Sequence, residues 1–125
     1  MRNSNAGWRE IGGKKKYFRS KWEANYARHL EFCKKHELII DWLHEPHTFW
    51  FEGIKRGVCS YLPDFKVIME GGHHWVEVKG YMDARSKTKI KRLKKYYPDE
   101  KIIVIDSMWF KKNNAKMAAL CSGWE

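Results

Sequence analysis

The sequence lacks any long apolar segment, since no run approaches the roughly 18 residues that a membrane span needs. The N-terminal stretch MRNSNAGWREIGGKKKYF also lacks the hydrophobic core of a signal peptide. We therefore expect an intracellular, cytoplasmic protein with no membrane partner.

Residues that build disulfides and zinc sites are few or poorly spaced. Because the cysteine count is odd and shows no CxxC spacing, we expect free, mostly buried thiols at Cys33, Cys59 and Cys121. No cysteine lies at finger spacing from the histidines that invite a zinc interpretation, which are His44, His47, His73 and His74. We expect no zinc site.

Acidic residues are outnumbered, with 15 Asp and Glu against 25 Lys and Arg, which gives a formal charge of +10. Such an excess indicates a polyanionic partner, for which nucleic acid is the leading candidate. The alternative is a basic, solvated surface that only keeps the protein soluble.

The chain reads as one domain with a basic extension and no internal repeat. Residues 1–16 are rich in glycine and lysine and predict a flexible basic arm, and residues 17–125 predict a single domain. Helical spacing predicts helices over 20–37, 83–97 and 112–120, with β structure between the first two and a strand at 101–106 covered on both faces. The order α-β-β-β-α-β predicts an α/β (mixed α+β) fold.

Residues 61–81, YLPDFKVIMEGGHHWVEVKGY, predict a β-hairpin with an unusual charged face. A two-residue loop at Gly71-Gly72 pairs Phe65 with Val78 and Asp64 with Lys79. Because side chains alternate along a strand, one face is apolar and holds Phe65, Val67, Val76 and Val78. The other face holds Asp64, Lys66, Ile68, Trp75, Glu77 and Lys79.

The carboxylates of Asp64 and Glu77, with Lys79 beside them, are the group that points to chemistry. Oxygens in this arrangement suit a hard divalent cation such as Mg²⁺, which takes one or two carboxylates plus water and substrate phosphate. The alternative is an exposed salt-bridge cluster, worth about 0–1 kcal/mol for each pair.

Glu23, on the first helix, is a third acidic candidate. It shares a helix face with Ala27 and Leu30, so we expect the first helix to cover the charged face of the hairpin, with Glu23 opposite Asp64, Glu77 and Lys79. The stretch Ser20-Lys21-Trp22-Glu23 also fits a capping box, in which Glu23 bonds back to the start of the helix. Spacing alone leaves both roles open.

The second helix carries seven basic residues and no acid after Asp83, a pattern that favours contact with phosphate over a solvated face. Lys87, Lys91 and Lys94 share one side of it. The predicted DNA-binding residues are Lys14, Lys15, Lys16, Arg19, Arg85, Lys87, Lys91 and Lys94.

A Glu on a first helix, Pro63-Asp64 at a strand and Glu77-Val78-Lys79 on the next strand together resemble the PD-(D/E)xK nucleases. The resemblance covers roughly residues 17–106. The stretches FRSKWEANYARHL and YLPDFKV look most like small phage-type endonucleases, a group that includes resolvase-like junction endonucleases. The resemblance implies a restriction-endonuclease-like core with flanking helices. It also implies that the protein is located in the host cytoplasm if the gene is phage-encoded.

The resemblance also implies roles for the site residues. Asp64 and Glu77 would hold Mg²⁺ or Mn²⁺ with the Val78 carbonyl, and Glu23 would be a nearby or direct ligand. Lys79 would orient the attacking water and stabilise charge on the phosphate.

The expected function is therefore a metal-dependent endonuclease that hydrolyses phosphodiester bonds of DNA, and the preferred subtype acts on branched or junction DNA. One alternative is a catalytically silent nucleic-acid-binding module on the same fold, and another is a basic accessory protein whose acids only form salt bridges. The many aromatic residues favour a homodimer. We expect Trp42, Trp50, Trp75 and Trp109 in a core or an interface rather than as base-stacking surfaces.

Overall fold

The computed structural model describes residues 5–125, which form eight strands and three helices. In chain order these elements are β1 (Gly7–Ile11), β2 (Lys14–Phe18), α1 (Lys21–Lys35), β3 (Asp41–His44), β4 (Phe49–Trp50), β5 (Ser60–Tyr61), β6 (Phe65–Met69), β7 (Gly72–Val78), α2 (Ala84–Tyr96), β8 (Ile102–Ile105) and α3 (Ser107–Leu120). No helix among the described residues is long and apolar enough to cross a membrane.

The main sheet has four strands in the order β3-β6-β7-β8. The pairs β3–β6 and β6–β7 are antiparallel, and β7–β8 is parallel because α2 provides the crossover. The elements on and around this sheet follow the predicted order α-β-β-β-α-β, and the mixed α and β class is confirmed. The strands β4 and β5 form a separate short pair.

The two faces of the main sheet support two separate cores. One core packs Ala24, Ala27 and Leu30 of α1 against Phe65 and Val76 of the sheet. The other core lies on the opposite face and packs Trp75 of β7 with α2 and the β4–β5 pair. The predicted separation of the hairpin faces is therefore present, and both faces are covered.

The register of the β6–β7 hairpin differs from the predicted one by two residues. Met69 pairs with Gly72 and Phe65 with Val76, so the loop is Glu70-Gly71, with Gly71 at φ +87°. A shift of two leaves every side chain on its predicted face, because the strand period is two.

The prediction of a flexible arm over residues 1–16 is wrong for the part that the structure describes; residues 1–4 lie outside it. The strands β1 and β2 form an antiparallel hairpin whose loop is Gly12-Gly13, both with positive φ, as a tight hairpin turn requires. Ile11 and Phe18 enter the core beside α1, and Arg9 pairs with Glu125. The lysines that suggested a solvated arm are Lys14, Lys15 and Lys16, which are exposed on both sides of the folded strand β2.

Three helix starts are capped by side chains that accept from backbone amides: Ser20 for α1, Asp83 for α2 and Asp106 for α3. Helix α3 begins five residues before the predicted 112. Strand β8 is an edge strand and leaves Ile103 partly exposed, so the prediction of a strand covered on both faces is wrong. The three thiols are free, and only Cys121 is fully buried.

Candidate metal centre

A cavity of about 490 Å³ opens at the end of the main sheet where β7 stops. It is reached by the start of α1, by the segment before β6 and by the middle of α2. Its lining contains all three predicted acids together with Lys79. The other residues with hydroxyl or cationic side chains around it are Arg19, Ser20, Tyr61, Tyr81, Lys89 and Ser107.

Asp64 lies at the base of this cavity and is 7% exposed. Its Oδ2 accepts a hydrogen bond from the Val78 amide at 2.7 Å, which fixes the carboxylate against the last residue of β7. Burial raises the pKa of Asp64 well above its usual range, and the charges of Glu77 and Glu23 raise it further. The folded protein therefore holds this carboxylate in a place where its negative charge is poorly compensated.

Glu77 projects from β7 into the same cavity. Its Oε1 accepts a hydrogen bond from the Tyr61 hydroxyl at 2.7 Å. Burial raises the pKa of Glu77, while the Tyr61 hydrogen bond and the charges of Lys79 and Lys89 favour the ionised form. The cavity thus places two ammonium groups near one member of the acidic pair.

Glu23 meets the cavity from the opposite face of the sheet, because α1 packs on the apolar side of β6 and β7. The prediction that Asp64, Glu77 and Lys79 share the face covered by α1 is therefore wrong. The end of the sheet brings the three acids together around its edge, and the charge of Glu23 raises the pKa of both other carboxyls.

The carboxylate of Glu23 is held by contacts within the protein. The backbone amide of Glu23 donates to Ser20 Oγ at 3.1 Å, and Oε1 of the carboxylate accepts from the Arg19 backbone amide at 3.1 Å. Its Oε2 lies 2.5 Å from His44 Nε2, and both side chains are nearly fully buried. Glu23 caps the helix through Arg19 rather than through the predicted Ser20 amide, and it also lines the cavity.

Glu45 extends this second acidic group. Ligand atoms of Glu23, His44 and Glu45 all lie within 4.8 Å of one another, a spacing that could hold a metal ion. Arg19 Nη2 is 3.0 Å from Glu45 Oε2, close enough for ion pairing, although the angles are not those of a hydrogen bond. His44 contacts the Glu23 carboxylate and Arg19 faces the Glu45 carboxylate, so each of these two acids already has a basic side chain beside it.

The predicted DNA-binding residues divide between the cavity and the outer surface. Arg19 lines the cavity. The others are exposed on β2 or on α2: Lys14, Lys15, Lys16, Arg85, Lys87, Lys91 and Lys94. They form no cluster around the three acids, and their contact with DNA stays a prediction.

Three residues of the site were missed by sequence reasoning: His44, Tyr61 and Lys89. His44 lies two residues after Trp42 in β3, so the strand period alone would have placed both side chains on the inner face. Lys89 follows Ser86 by three residues and precedes Leu93 by four, which puts it on the side of α2 that faces the sheet. Tyr61 carries no comparable signal, because its contact with Glu77 depends on the path of the loop before β6.

The arrangement combines carboxylates of raised pKa, lysines and an open cavity, which suits binding of a hard cation and of an anionic group beside it. Comparisons with protein-family models, with curated proteins and with solved structures find no match for this chain.

Proposed function

We infer that this chain is a metal-dependent endonuclease that hydrolyses phosphodiester bonds of DNA. The observation that carries this proposal is the convergence of Asp64, Glu77 and Lys79 in one cavity at the end of the sheet. A PD-(D/E)xK-like core, with α1 supplying Glu23, is part of the same proposal.

The donor set fits Mg²⁺ or Mn²⁺. Among residues 5–125, hydrogen bonds reach one carboxylate oxygen of Asp64 and one of Glu77, which are Oδ2 and Oε1. The remaining oxygens are hard donors, and a divalent cation would relieve the repulsion that raises both pKa values. Asp64 and Glu77 would hold the ion; the Val78 carbonyl as a further ligand stays a prediction.

The charged residues of the cavity then have the following chemical roles. A bound cation supplies Lewis acidity and lowers the pKa of a coordinated water. Lys79 points a localised positive charge at the phosphate and stabilises the negative charge that develops on its oxygens. Lys89, from α2, adds a second ammonium on the same side as Glu77.

Glu23 acts from outside the ligand set in this proposal. Its two oxygens accept from the Arg19 amide and from His44, which occupies two of the roughly four lone-pair sites of a carboxylate. The remaining sites can accept a hydrogen bond from water in the cavity. In this proposal Glu23 is a helix cap that also orders solvent, and its role as a direct metal ligand stays a prediction of the resemblance.

The substrate is DNA in this proposal, because the net charge is +10 and the exposed faces of β2 and α2 carry lysines next to the cavity elements. Junction or branched DNA and a homodimer remain predictions of the resemblance.

The direct test is cleavage of a panel of duplex, flap, four-way-junction and single-stranded DNA with Mg²⁺, with Mn²⁺ and with EDTA. We expect cleavage only with metal, and none by Asp64→Ala or Lys79→Ala. A melting experiment should show that Mn²⁺ stabilises the wild type by about 2.7 kcal/mol at a hundredfold excess over Kd, and does not stabilise Asp64→Ala.

Asp99→Ala is the matched control, since Asp99 is an exposed carboxylate outside the cavity. It should cleave like the wild type. Full cleavage by purified Asp64→Ala would remove the site assignment. Strong DNA binding without metal-dependent cleavage of any substrate would favour the silent binding module instead.

A further inference from the structure

The N-terminal hairpin presents an aromatic pair to solvent. Trp8 is 64% exposed and Tyr17 is 47% exposed, although both are large and partly apolar. They are directly paired across β1 and β2, with ring centroids 5.7 Å apart in an edge-to-face arrangement. The pair leaves ring surface open to solvent on the outer side of the hairpin.

Holding the hairpin together does not require this exposure. Its inner side is already anchored by Ile11 and Phe18, which enter the core, and by the ion pair of Arg9 with Glu125. A cross-strand aromatic pair adds only about 0.2–1 kcal/mol to a sheet. The exposed ring surface of Trp8 and Tyr17 is therefore open for contact with a ligand.

The strand that holds Tyr17 is basic, although the exposed Glu10 faces Lys15 across the hairpin on the side of the aromatic pair. Lys15 lies on the same face of β2 as Tyr17, because the two are separated by one residue. Lys14 and Lys16 are exposed on the other side of the strand. Aromatic rings among lysines are the combination that binds unpaired nucleotides, with rings stacking on bases and ammonium groups facing phosphates.

The pair is also close to the cavity along the chain. Arg19 lines the cavity and follows Tyr17 by two residues, a step of at most about 7 Å in an extended chain. A strand whose phosphate enters the cavity thus has neighbouring nucleotides within reach of the hairpin.

We propose that Trp8 and Tyr17 form a stacking site for unpaired bases of DNA next to the cavity. The site makes single-stranded segments, such as those at flaps and branch points, the preferred ligand over continuous duplex. This inference rests on the proposed function for its choice of DNA, but it concerns binding and needs no cleavage.

The test measures binding of a short oligo(dT) and of a duplex of equal length in EDTA, by fluorescence anisotropy, in an Asp64→Asn background. Trp8→Leu should weaken oligo(dT) binding about 5- to 150-fold, the loss expected for one stacked base. Duplex affinity should not change. Trp8→Phe retains a ring and should restore most of the affinity.

Trp50→Leu is the matched control, because Trp50 is 62% exposed and lies in β4, outside the hairpin. It should bind oligo(dT) like the parent protein. Melting curves identify any variant that fails to fold, and Tyr17→Leu then tests the same site through the second ring.

Several outcomes would overturn the inference. They are unchanged oligo(dT) binding in Trp8→Leu and Tyr17→Leu, an equal loss in Trp50→Leu, and an equal loss for duplex and single strand. A change in oligomeric state by sedimentation, without a change in binding, would assign the pair to self-association. Metal-dependent cleavage with unaltered oligo(dT) binding would remove this inference alone, and selective binding without cleavage would remove only the nuclease.

Discussion

Two groups of acids lie side by side at the end of the sheet, and they differ in how their charge is compensated. Glu23 contacts His44 at 2.5 Å, and Glu45 lies 3.0 Å from the Arg19 guanidinium. Asp64 is buried among acids with one amide hydrogen bond, and burial raises its pKa strongly. Each carboxylate of the first group has His44 or Arg19 in contact, whereas Asp64 contacts no basic side chain among the described residues, and the two lysines of the cavity lie near Glu77.

The difference separates a structural role from a functional one more clearly than proximity does. Ligand atoms of the Glu23, His44 and Glu45 group lie within 4.8 Å, so distance alone would favour it as the metal site. A buried carboxylate with a partner gains little from a cation, and one without a partner gains much. This contrast supports the proposal that Asp64 and Glu77 bind the cation while the other group supports the cavity wall.

The largest expected effect is on cleavage and compares Glu77→Gln with Glu45→Gln. Glutamine keeps an oxygen for the Tyr61 hydroxyl at position 77, but it removes the charge that a cation needs. Glu77→Gln should lower kcat/KM about 10³-fold, which corresponds to about 4 kcal/mol of transition-state stabilisation. Glu45→Gln should cost no more than about 10- to 100-fold, as expected for a supporting residue.

Single-turnover cleavage with saturating Mn²⁺ measures both variants under one condition. If Glu45→Gln is as inactive as Glu77→Gln, the assignment of the two acidic groups is reversed. Mn²⁺ titration by electron paramagnetic resonance gives an independent readout, in which Glu77→Gln loses the bound ion and Glu45→Gln retains it.

The next effect is on folding and concerns the partner of Glu23. His44→Leu leaves the buried Glu23 carboxylate without its hydrogen-bond partner, and such a loss typically costs about 1–3 kcal/mol, more when the group left behind is charged. His44→Gln retains an N–H donor and should lose less. Urea unfolding gives both free energies of unfolding.

A double-mutant cycle identifies the cause of the loss. If an isolated carboxylate is responsible, adding Glu23→Gln to His44→Leu should recover part of the free energy of unfolding. Additive losses would instead mean that the His44 ring acts by packing against Phe18 and Phe65, whose ring centroids lie 4.5 and 5.3 Å away.

The sequence predicted the hairpin faces and the convergence of Asp64, Glu77 and Lys79, because strand alternation is a local property. The register was displaced by two residues, since Glu70-Gly71 rather than Gly71-Gly72 forms the loop. The same turn reasoning applied to Gly12-Gly13 would have found the first hairpin. The run of three lysines after it obscured the signal, because charge suggested disorder.

The partners of Glu23 could not be predicted, because they come from distant segments. His44 is 21 residues away and reaches Glu23 only after β3 has paired with β6 and α1 has packed on the sheet. Helical spacing predicts the face of α1 on which Glu23 lies, but it does not predict which end of the sheet its side chain reaches. This is why the cap and the ligand remained equivalent in the sequence.

The smallest expected effect concerns the second acidic group and depends on the charge of Asp64. The pKa of Asp64 is raised in the folded protein, so its contribution to stability is present below the ordinary carboxyl pKa and is lost as pH rises through the raised value. Asparagine carries no such charge and still offers an oxygen to the Val78 amide. Asp64→Asn should therefore stabilise metal-free protein by about 0.5–2 kcal/mol near pH 8, and by less near pH 5.

Urea unfolding in EDTA at the two pH values measures this gain, with Asp99→Asn as the control. Asp99 is an exposed carboxylate, and its replacement should change the free energy of unfolding by less than about 0.5 kcal/mol at either pH. A gain for Asp64→Asn that is the same at both pH values would show that packing, not charge, is responsible. A loss near pH 8 would mean that the ionised carboxylate is already compensated, and the contrast between the two acidic groups would no longer hold.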